Sequence, residues 1–257
     1  MNTFTHNSGH SVDIDGAKIY FEDIGNKDRP VLLLLHGGLE DIENVNPIAS
    51  YCTEDFRVIG VDSRGHGKST LGCQQLTYER VQLDIEALLM HLNIATVNIV
   101  GFSDGGIVAY RIAARHKVTV KKLITLGASW SERDVMKAEG MLKSITPDSA
   151  REIFAGNFAR YQQINPEPDF DTLVQSAVAM WLDTTRTGHP NECVKDISAK
   201  TLLIRGDHDF LVSLESLTEL QNKIAGSSFM NVPFAEHAVY EEQPQAIEMM
   251  LRQFLHT

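Results

Sequence analysis

Ser103 lies in the segment Gly101-Phe102-Ser103-Asp104-Gly105. This segment has the pattern G-x-S-x-G, which is typical of an activated serine nucleophile. The β-branched run at 96–100 predicts a strand before it, and the composition of 106–115 predicts a helix after it. A serine on a tight strand-to-helix turn is held in strained backbone geometry with its hydroxyl exposed. Such a hydroxyl attacks a carbonyl carbon once a neighbouring base takes its proton, so Ser103 is the candidate nucleophile.

The base and the acid that this chemistry needs are predicted at the ends of two later strands. His237 follows a predicted strand at 228–232, and both Asp207 and Asp209 follow one at 201–205. Ligand sites of open α/β sheets lie just beyond the carboxyl ends of the strands, where all these residues fall. The residues alone leave two choices for the acid, because Asp207 can take that role while Asp209 caps a helix.

Two earlier segments carry a resemblance to a known family. The segment 31–38, which ends in Leu35-His36-Gly37-Gly38, resembles the strand and oxyanion loop of α/β-hydrolase fold enzymes. The segment 58–69 resembles the D-x-R-G-x-G-x-S segment of the same enzymes. Together with the nucleophile segment, these motifs make the chain similar to that family over almost its whole length.

The resemblance implies a serine hydrolase with the triad Ser103, Asp209 and His237. It selects Asp209 because the family's acid usually stands three residues after a strand-ending glycine, here Gly206. It also implies an oxyanion hole formed by the backbone N–H groups of Gly38 and Asp104. The chain departs from the family pattern at Glu236, where a glycine usually precedes the histidine.

A narrower resemblance links Ser103-Asp104-Gly105-Gly106-Ile107 and Trp130-Ser131-Glu132-Arg133 to the biphenyl hydrolase-like group. In that group the aspartate after the nucleophile is held to recognise the α-amino group of amino-acid esters. The resemblance therefore implies substrate binding by Asp104, and we also predict it for Leu39, which follows the oxyanion loop. The residues equally allow Asp104 to stabilise the start of its helix.

Acidic residues flank these predicted site positions. Glu40 and Asp41 follow the oxyanion loop, and Glu236 adjoins His237. We therefore expect an acidic mouth, which would attract an ammonium group.

Alternating strand and helix patterns predict an α/β fold with a mostly parallel, eight-stranded sheet flanked by helices. A hairpin around Asp15-Gly16 precedes the six later strands. We place the core domain at 1–129 and 199–257, and a helical cap insertion at 130–198. The cap is predicted to contain three helices, Glu132–Ser144, Ser149–Tyr161 and Phe170–Leu182.

Composition limits the function further. A net charge of −11 argues against a nucleic-acid partner, and no apolar run reaches membrane-spanning length. Three widely spaced cysteines and a polar start of the sequence predict a cytoplasmic protein with reduced thiols. No complete metal-binding or nucleotide-binding motif occurs, so we expect no metal and no cofactor. The composition gives no prediction of oligomeric state.

The predicted activity is hydrolysis of small-molecule carboxylic esters through an acyl-enzyme. Two alternatives use the same triad, namely hydrolysis of carbon–carbon bonds and cofactor-free perhydrolysis. A third alternative is a ligand-binding protein of this fold without catalysis.

Overall fold

A computed structural model describes residues 3–257 and contains one eight-stranded sheet. The strands are β1 (His10–Ile14), β2 (Ala17–Gly25), β3 (Val31–Leu35), β4 (Arg57–Val61), β5 (Thr96–Phe102), β6 (Thr119–Leu126), β7 (Lys200–Gly206) and β8 (Ser228–Val232). Their order across the sheet is β1-β2-β4-β3-β5-β6-β7-β8. The pairs β1–β2 and β2–β4 are antiparallel, and all other neighbours are parallel. The predicted fold class is confirmed.

The hairpin between β1 and β2 turns on two residues with positive φ, Asp15 at 44° and Gly16 at 76°. A two-residue turn of this kind matches the twist of the strands that it joins. It starts the sheet at its antiparallel edge.

Helices cover both faces of the sheet. They are α1 (Asn46–Cys52), α2 (Tyr78–His91), α3 (Asp104–Arg115), α8 (Leu214–Lys223), α9 (Val239–Glu242) and α10 (Pro244–His256). Because successive side chains of a strand point to opposite faces, β3 supplies both layers of the core. Its Leu33 and Leu35 join the apolar cluster under α2, α3 and α8, whereas Leu32 and Leu34 join the cluster under α1 and α10.

Four helices stand between β6 and β7, in the segment predicted to be the cap. They are α4 (Glu132–Ser144), α5 (Pro147–Ile153), α6 (Ala155–Ile164) and α7 (Phe170–Trp181), and a short 3-10 helix follows at Asn191–Asp196. Helices α5, α6 and α7 form a small apolar cluster together with Leu39 from the loop after β3. The boundaries 130–198 of this insertion as a domain stay a prediction.

The single helix predicted over Ser149–Tyr161 is wrong. Thr146 and Ser149 form a capping box that starts α5 earlier, at Pro147. The chain then leaves helical geometry at Phe154, with φ −110° and ψ 38°, before α6 begins.

Within residues 3–257, no helix is long and apolar enough to cross a bilayer.

Candidate active site

Ser103 sits at the sharp turn between β5 and α3, with φ 48° and ψ −117°. Glycines on both sides make this turn possible. A Cβ on Gly101 would lie 2.4 Å from the carbonyl oxygen of Gly105, and a Cβ on Gly105 would lie 2.4 Å from that of Leu35. The backbone therefore fixes the serine in a strained conformation that only this packing maintains.

The side chains of Ser103, His237 and Asp209 meet at the carboxyl edge of the sheet. His237 Nε2 lies 3.0 Å from Ser103 Oγ, and His237 Nδ1 lies 3.1 Å from Asp209 Oδ2. A Cβ on Gly127, beyond β6, would lie 3.0 Å from His237 Cε1, so the ring packs directly against that backbone. The three side chains form one hydrogen-bonded series.

Asp209 is oriented by the turn that carries it. Its side chain is buried, and Oδ1 accepts hydrogen bonds from the backbone N–H groups of Leu211 at 2.9 Å and Val212 at 3.0 Å. Oδ2 is therefore left for the imidazole. Asp207 is exposed and instead accepts a hydrogen bond from Asn231 Nδ2 at 2.7 Å. The structure thus brings Asp209 and not Asp207 to His237.

The loop after β3 places Gly38 beside the nucleophile. His36 anchors this loop, since its ring donates from Nδ1 to the Gly37 carbonyl at 2.7 Å and accepts at Nε2 from Ser63 N–H at 3.0 Å. Burial lowers the pKa of His36, which favours this neutral form. Among the described residues, neither the Gly38 N–H nor the Asp104 N–H donates to another protein group. Both residues line the cavity above Ser103, as an oxyanion hole requires.

Asp104 is held by two donors from different parts of the chain. Its Oδ1 accepts from the Tyr78 hydroxyl and its Oδ2 from Trp181 Nε1, each at 2.7 Å. Burial raises the pKa of this carboxyl. A Cβ on Gly38 would lie 2.6 Å from Asp104 Oδ2, so the oxyanion loop packs closely on the carboxylate.

Leu39 does not occupy the predicted position. Its backbone has a positive φ of 57°, and its side chain is buried in the apolar cluster with Tyr161 and Leu173. Leu39 is absent from the cavity lining. The expected substrate contact is therefore corrected to a packing role.

The expected acidic mouth is also corrected. Asp41 accepts from Glu43 N–H at the start of a 3-10 turn and pairs with Arg160 at 2.5 Å, so its charge is neutralised away from the cavity. Glu236 is exposed to solvent. Glu40 does line the cavity, but burial raises its pKa to about 8, which leaves it mostly protonated at neutral pH.

The cavity above Ser103 has a volume of about 500 Å³. Its floor carries the polar groups from the sheet edge. Its walls are mainly apolar and come largely from the insertion, namely Val135, Ala138, Met141, Leu142, Ile145, Ile153 and Phe154. Such a site suits a small organic molecule with one reactive polar group.

Sequence reasoning missed a second polar pair in this cavity, Ser129 and His189. Ser129 Oγ lies 2.9 Å from His189 Nε2, and both residues line the cavity. The only available signal was the position of Ser129, shortly after the end of β6. No group of three potential metal ligands is placed to hold an ion in the part of the chain that the structure describes.

Comparisons with known proteins agree with this fold. The sequence pattern of the family described as alpha/beta hydrolase fold matches residues 30–174. The AB hydrolase superfamily protein YisY of Bacillus subtilis is 26% identical over 96% of this chain and 98% of its own length.

Two solved structures share the fold. The enol-lactonase of Burkholderia xenovorans superposes with a TM-score of 0.76, at 21% identity over 96% of this chain and 100% of that chain. The carboxylesterase CesB of Bacillus subtilis superposes with a TM-score of 0.73, at 22% identity over 96% of this chain and 91% of that chain.

The narrower likeness to the biphenyl hydrolase-like group stays a prediction. The predicted enzyme class, a hydrolase of the carboxylesterase type, is confirmed. Since the family pattern spans more than half of the chain, the chain belongs to the alpha/beta hydrolase fold family.

Proposed function

We propose that the protein hydrolyses carboxylic esters of small molecules through an acyl-enzyme on Ser103. The observation that carries this proposal is the hydrogen-bonded series of Ser103, His237 and Asp209 on the floor of a mainly apolar cavity. An ester whose carbonyl carbon reaches Ser103 Oγ meets a nucleophile and its base at hydrogen-bond distance.

The first half of the reaction forms the acyl-enzyme. Ser103 Oγ attacks the carbonyl carbon as His237 Nε2 takes the hydroxyl proton. The carbonyl oxygen becomes an oxyanion, which the N–H groups of Gly38 and Asp104 stabilise. His237 then gives its proton to the leaving alcohol oxygen, and the bond from carbon to that oxygen breaks.

The second half repeats these steps with water. His237 takes a proton from the water that attacks the acyl carbon, and returns it to Ser103 Oγ as the acid leaves. Throughout, Asp209 holds the Nδ1–H of His237 and stabilises the imidazolium.

A fluorophosphonate probe tests the nucleophile directly. The probe should add its mass to the peptide that contains Ser103. The rate of p-nitrophenyl ester hydrolysis should fall in proportion to the fraction of protein labelled. Ser103→Ala should neither label nor turn over ester while remaining folded. A folded wild-type protein that does not label and turns over no ester would overturn the proposal in favour of ligand binding alone.

We further propose that amino-acid esters are favoured substrates. The Asp104 carboxylate lines an otherwise mainly apolar cavity, with its two oxygens held in place by Tyr78 and Trp181. Burial penalises the charged form of Asp104, and a substrate ammonium group would offset that penalty. A charge-assisted hydrogen bond of about 1.5–3 kcal/mol corresponds to roughly 10- to 100-fold in kcat/KM.

Matched substrates test this preference. L-Alanine benzyl ester should exceed benzyl propanoate in kcat/KM, and Asp104→Asn should lower this ratio by that factor while benzyl propanoate is still hydrolysed. Glu236→Gln is the control, because it removes an exposed carboxylate beside His237. The preference is refuted if wild type does not distinguish the two esters or if Asp104→Asn distinguishes them equally well.

A further inference from the structure

Ser129 and His189 form a polar pair in the cavity that the proposed mechanism does not use. Ser129 lies in the loop after β6 and is half-buried, whereas His189 lies between α7 and the following 3-10 helix and is only 4% exposed. Their side chains meet at 2.9 Å between Oγ and Nε2. The walls of the cavity are otherwise mainly apolar.

The loop that carries His189 is fixed in place without substrate. Arg111 of α3 donates from Nη1 to the carbonyl oxygens of Arg186 at 3.2 Å and Gly188 at 2.8 Å. The His189 ring also packs edge-on against Tyr78, with ring centroids 5.1 Å apart. The imidazole is therefore preorganised toward Ser129.

The surroundings of His189 select one tautomer. Burial lowers the pKa of His189 to about 4, so at neutral pH the ring carries a single N–H. Nδ1 is buried and has no hydrogen-bond partner within residues 3–257. A proton on Nδ1 would be an unpaired buried donor, which proteins rarely tolerate. A proton on Nε2 instead donates to Ser129 Oγ and leaves only a lone pair unpaired.

We infer that Ser129 determines specificity by donating its hydroxyl hydrogen to an oxygen of the substrate. With its own oxygen accepting from His189, the Ser129 hydroxyl hydrogen is free to turn toward the cavity. The substrate class is esters whose acyl or alcohol arm carries an ether or carbonyl oxygen where it passes Ser129. Esters with only hydrocarbon there leave the hydroxyl unpaired, which disfavours them. This inference rests on the proposed ester hydrolysis and names the substrate feature that the same site selects.

Substrate pairs that exchange one methylene for an ether oxygen test the inference. In the acyl arm, p-nitrophenyl butanoate is paired with p-nitrophenyl methoxyacetate. p-Nitrophenyl pentanoate is paired with p-nitrophenyl 3-methoxypropanoate. In the alcohol arm the pair is pentyl acetate with 2-ethoxyethyl acetate. Each ratio of kcat/KM, ether over hydrocarbon, is compared between wild type and Ser129→Ala, which cancels the intrinsic reactivity of the esters.

We expect Ser129→Ala to lower this ratio by about 3- to 10-fold in at least one arm, the range of one neutral hydrogen bond. Ser144→Ala is the matched control, because Ser144 also lines the cavity but its hydroxyl donates to the Met141 carbonyl at 2.6 Å. It should leave every ratio within about 2-fold, below the value of one hydrogen bond. Ratios that Ser129→Ala leaves unchanged in both arms would overturn the inference, even with Ser103-dependent turnover intact. Failure of the proposed function would instead appear as a wild-type protein without ester turnover, or as turnover that survives Ser103→Ala.

A second measurement needs no turnover. Long-range ¹H–¹⁵N correlation spectra distinguish the two histidine tautomers, and the signals of His189 are assigned by their loss in His189→Phe. We expect protonated Nε2 and unprotonated Nδ1 near neutral pH. As a positioning residue, His189 should also lower the ether ratio when replaced by Phe, because Ser129 then loses its donor and its fixed orientation. A ring protonated on Nδ1 would overturn the inference.

Discussion

Glycines at the catalytic edge of the sheet and glycines inside the helices of the insertion have opposite surroundings. At the sheet edge, a Cβ on Gly206 would lie 1.8 Å from the carbonyl oxygen of Glu236, and one on Gly105 would lie 2.4 Å from that of Leu35. In the insertion, a Cβ on Gly140 or Gly156 would meet nothing within 4 Å. Backbone packs on backbone at these edge positions, whereas the helical glycines of the insertion face free space. Gly188, in the loop after α7, is packed like the edge, since a Cβ there would lie 1.9 Å from the Asp183 carbonyl oxygen.

This difference in packing suggests that the reacting groups and the residues that select the substrate lie in different regions of the molecule. The sheet edge holds the nucleophile turn, the oxyanion loop and the acid in contacts that allow no added atom. The insertion contributes mainly apolar wall and keeps large side chains such as Met136 and Ile153 more than half exposed. Substitutions in α4, which supplies wall residues such as Val135 and Met141, can therefore reshape the cavity without moving the reacting groups.

The largest expected effect is at the sheet edge. Ser103→Ala and His237→Ala should each lower kcat for ester hydrolysis by about 10³-fold or more, because nucleophile and base act as a unit. The double variant should be little worse than either single variant. Steady-state kinetics on a p-nitrophenyl ester measures all three, with Ser144→Ala as the serine control from the insertion. Fully additive losses would contradict a shared mechanism.

The next largest effect compares two aspartates, Asp207 and Asp209, which lie in the same turn after β7. Asp209→Asn should lower kcat by about 10²- to 10⁴-fold, because the imidazole loses its orienting carboxylate. Asp207→Asn should change kcat by less than about 3-fold, because it affects only one exposed hydrogen bond, the one that Asp207 accepts from Asn231. The opposite ranking of the two variants would assign the acid to Asp207.

The same division between regions explains what the sequence could predict. The strands and the turn at Ser103 follow from local patterns, namely β-branched runs and glycines at fixed offsets, and the structure has them nearly as expected. The acid could be predicted only from the family resemblance, because the residues alone did not distinguish Asp209 from Asp207.

Features that depend on distant packing were not predictable. Trp181 reaches Asp104 across 77 positions, and His189 reaches Ser129 across 60. No periodicity encodes such pairs, because they depend on how the insertion packs over the sheet. Leu39 was misplaced for the same reason, since its partners come from the insertion.

Glu40 lines the cavity between the sheet edge and the insertion. Its ionisation makes the free energy of unfolding depend on pH. In the unfolded chain its pKa is the ordinary 4.5, whereas burial beside Asp104, Glu241 and Asp41 raises it to about 8 in the fold. The folded state therefore binds more protons between these pH values, so this residue destabilises the fold increasingly as pH rises from about 5 to 8.

Glu40→Gln removes that ionisation. The gain in unfolding free energy from this substitution should be larger at pH 8 than at pH 5, by an amount on the order of 1 kcal/mol or more. Urea denaturation at the two pH values measures it, and Glu152→Gln on the exposed face of α5 is the control. An equal effect at both pH values would show that the carboxyl is not desolvated by the cavity.

The smallest expected effect tests the insertion by itself. Gly140 is exposed in α4, and a Cβ there meets no neighbour, so Gly140→Ala should raise the unfolding free energy by about 0.5–1 kcal/mol through helix propensity alone. Its kcat/KM should stay within about 2-fold of wild type, since α4 contributes wall and not reacting groups. Gly105→Ala, measured beside it by urea denaturation, should change stability in the opposite direction, because its Cβ would overlap the β3 backbone. If Gly140→Ala instead destabilised the protein or lowered kcat/KM sharply, α4 would be packed as tightly against the site as the sheet edge is. Substrate choice and chemistry would then not be separable in this molecule.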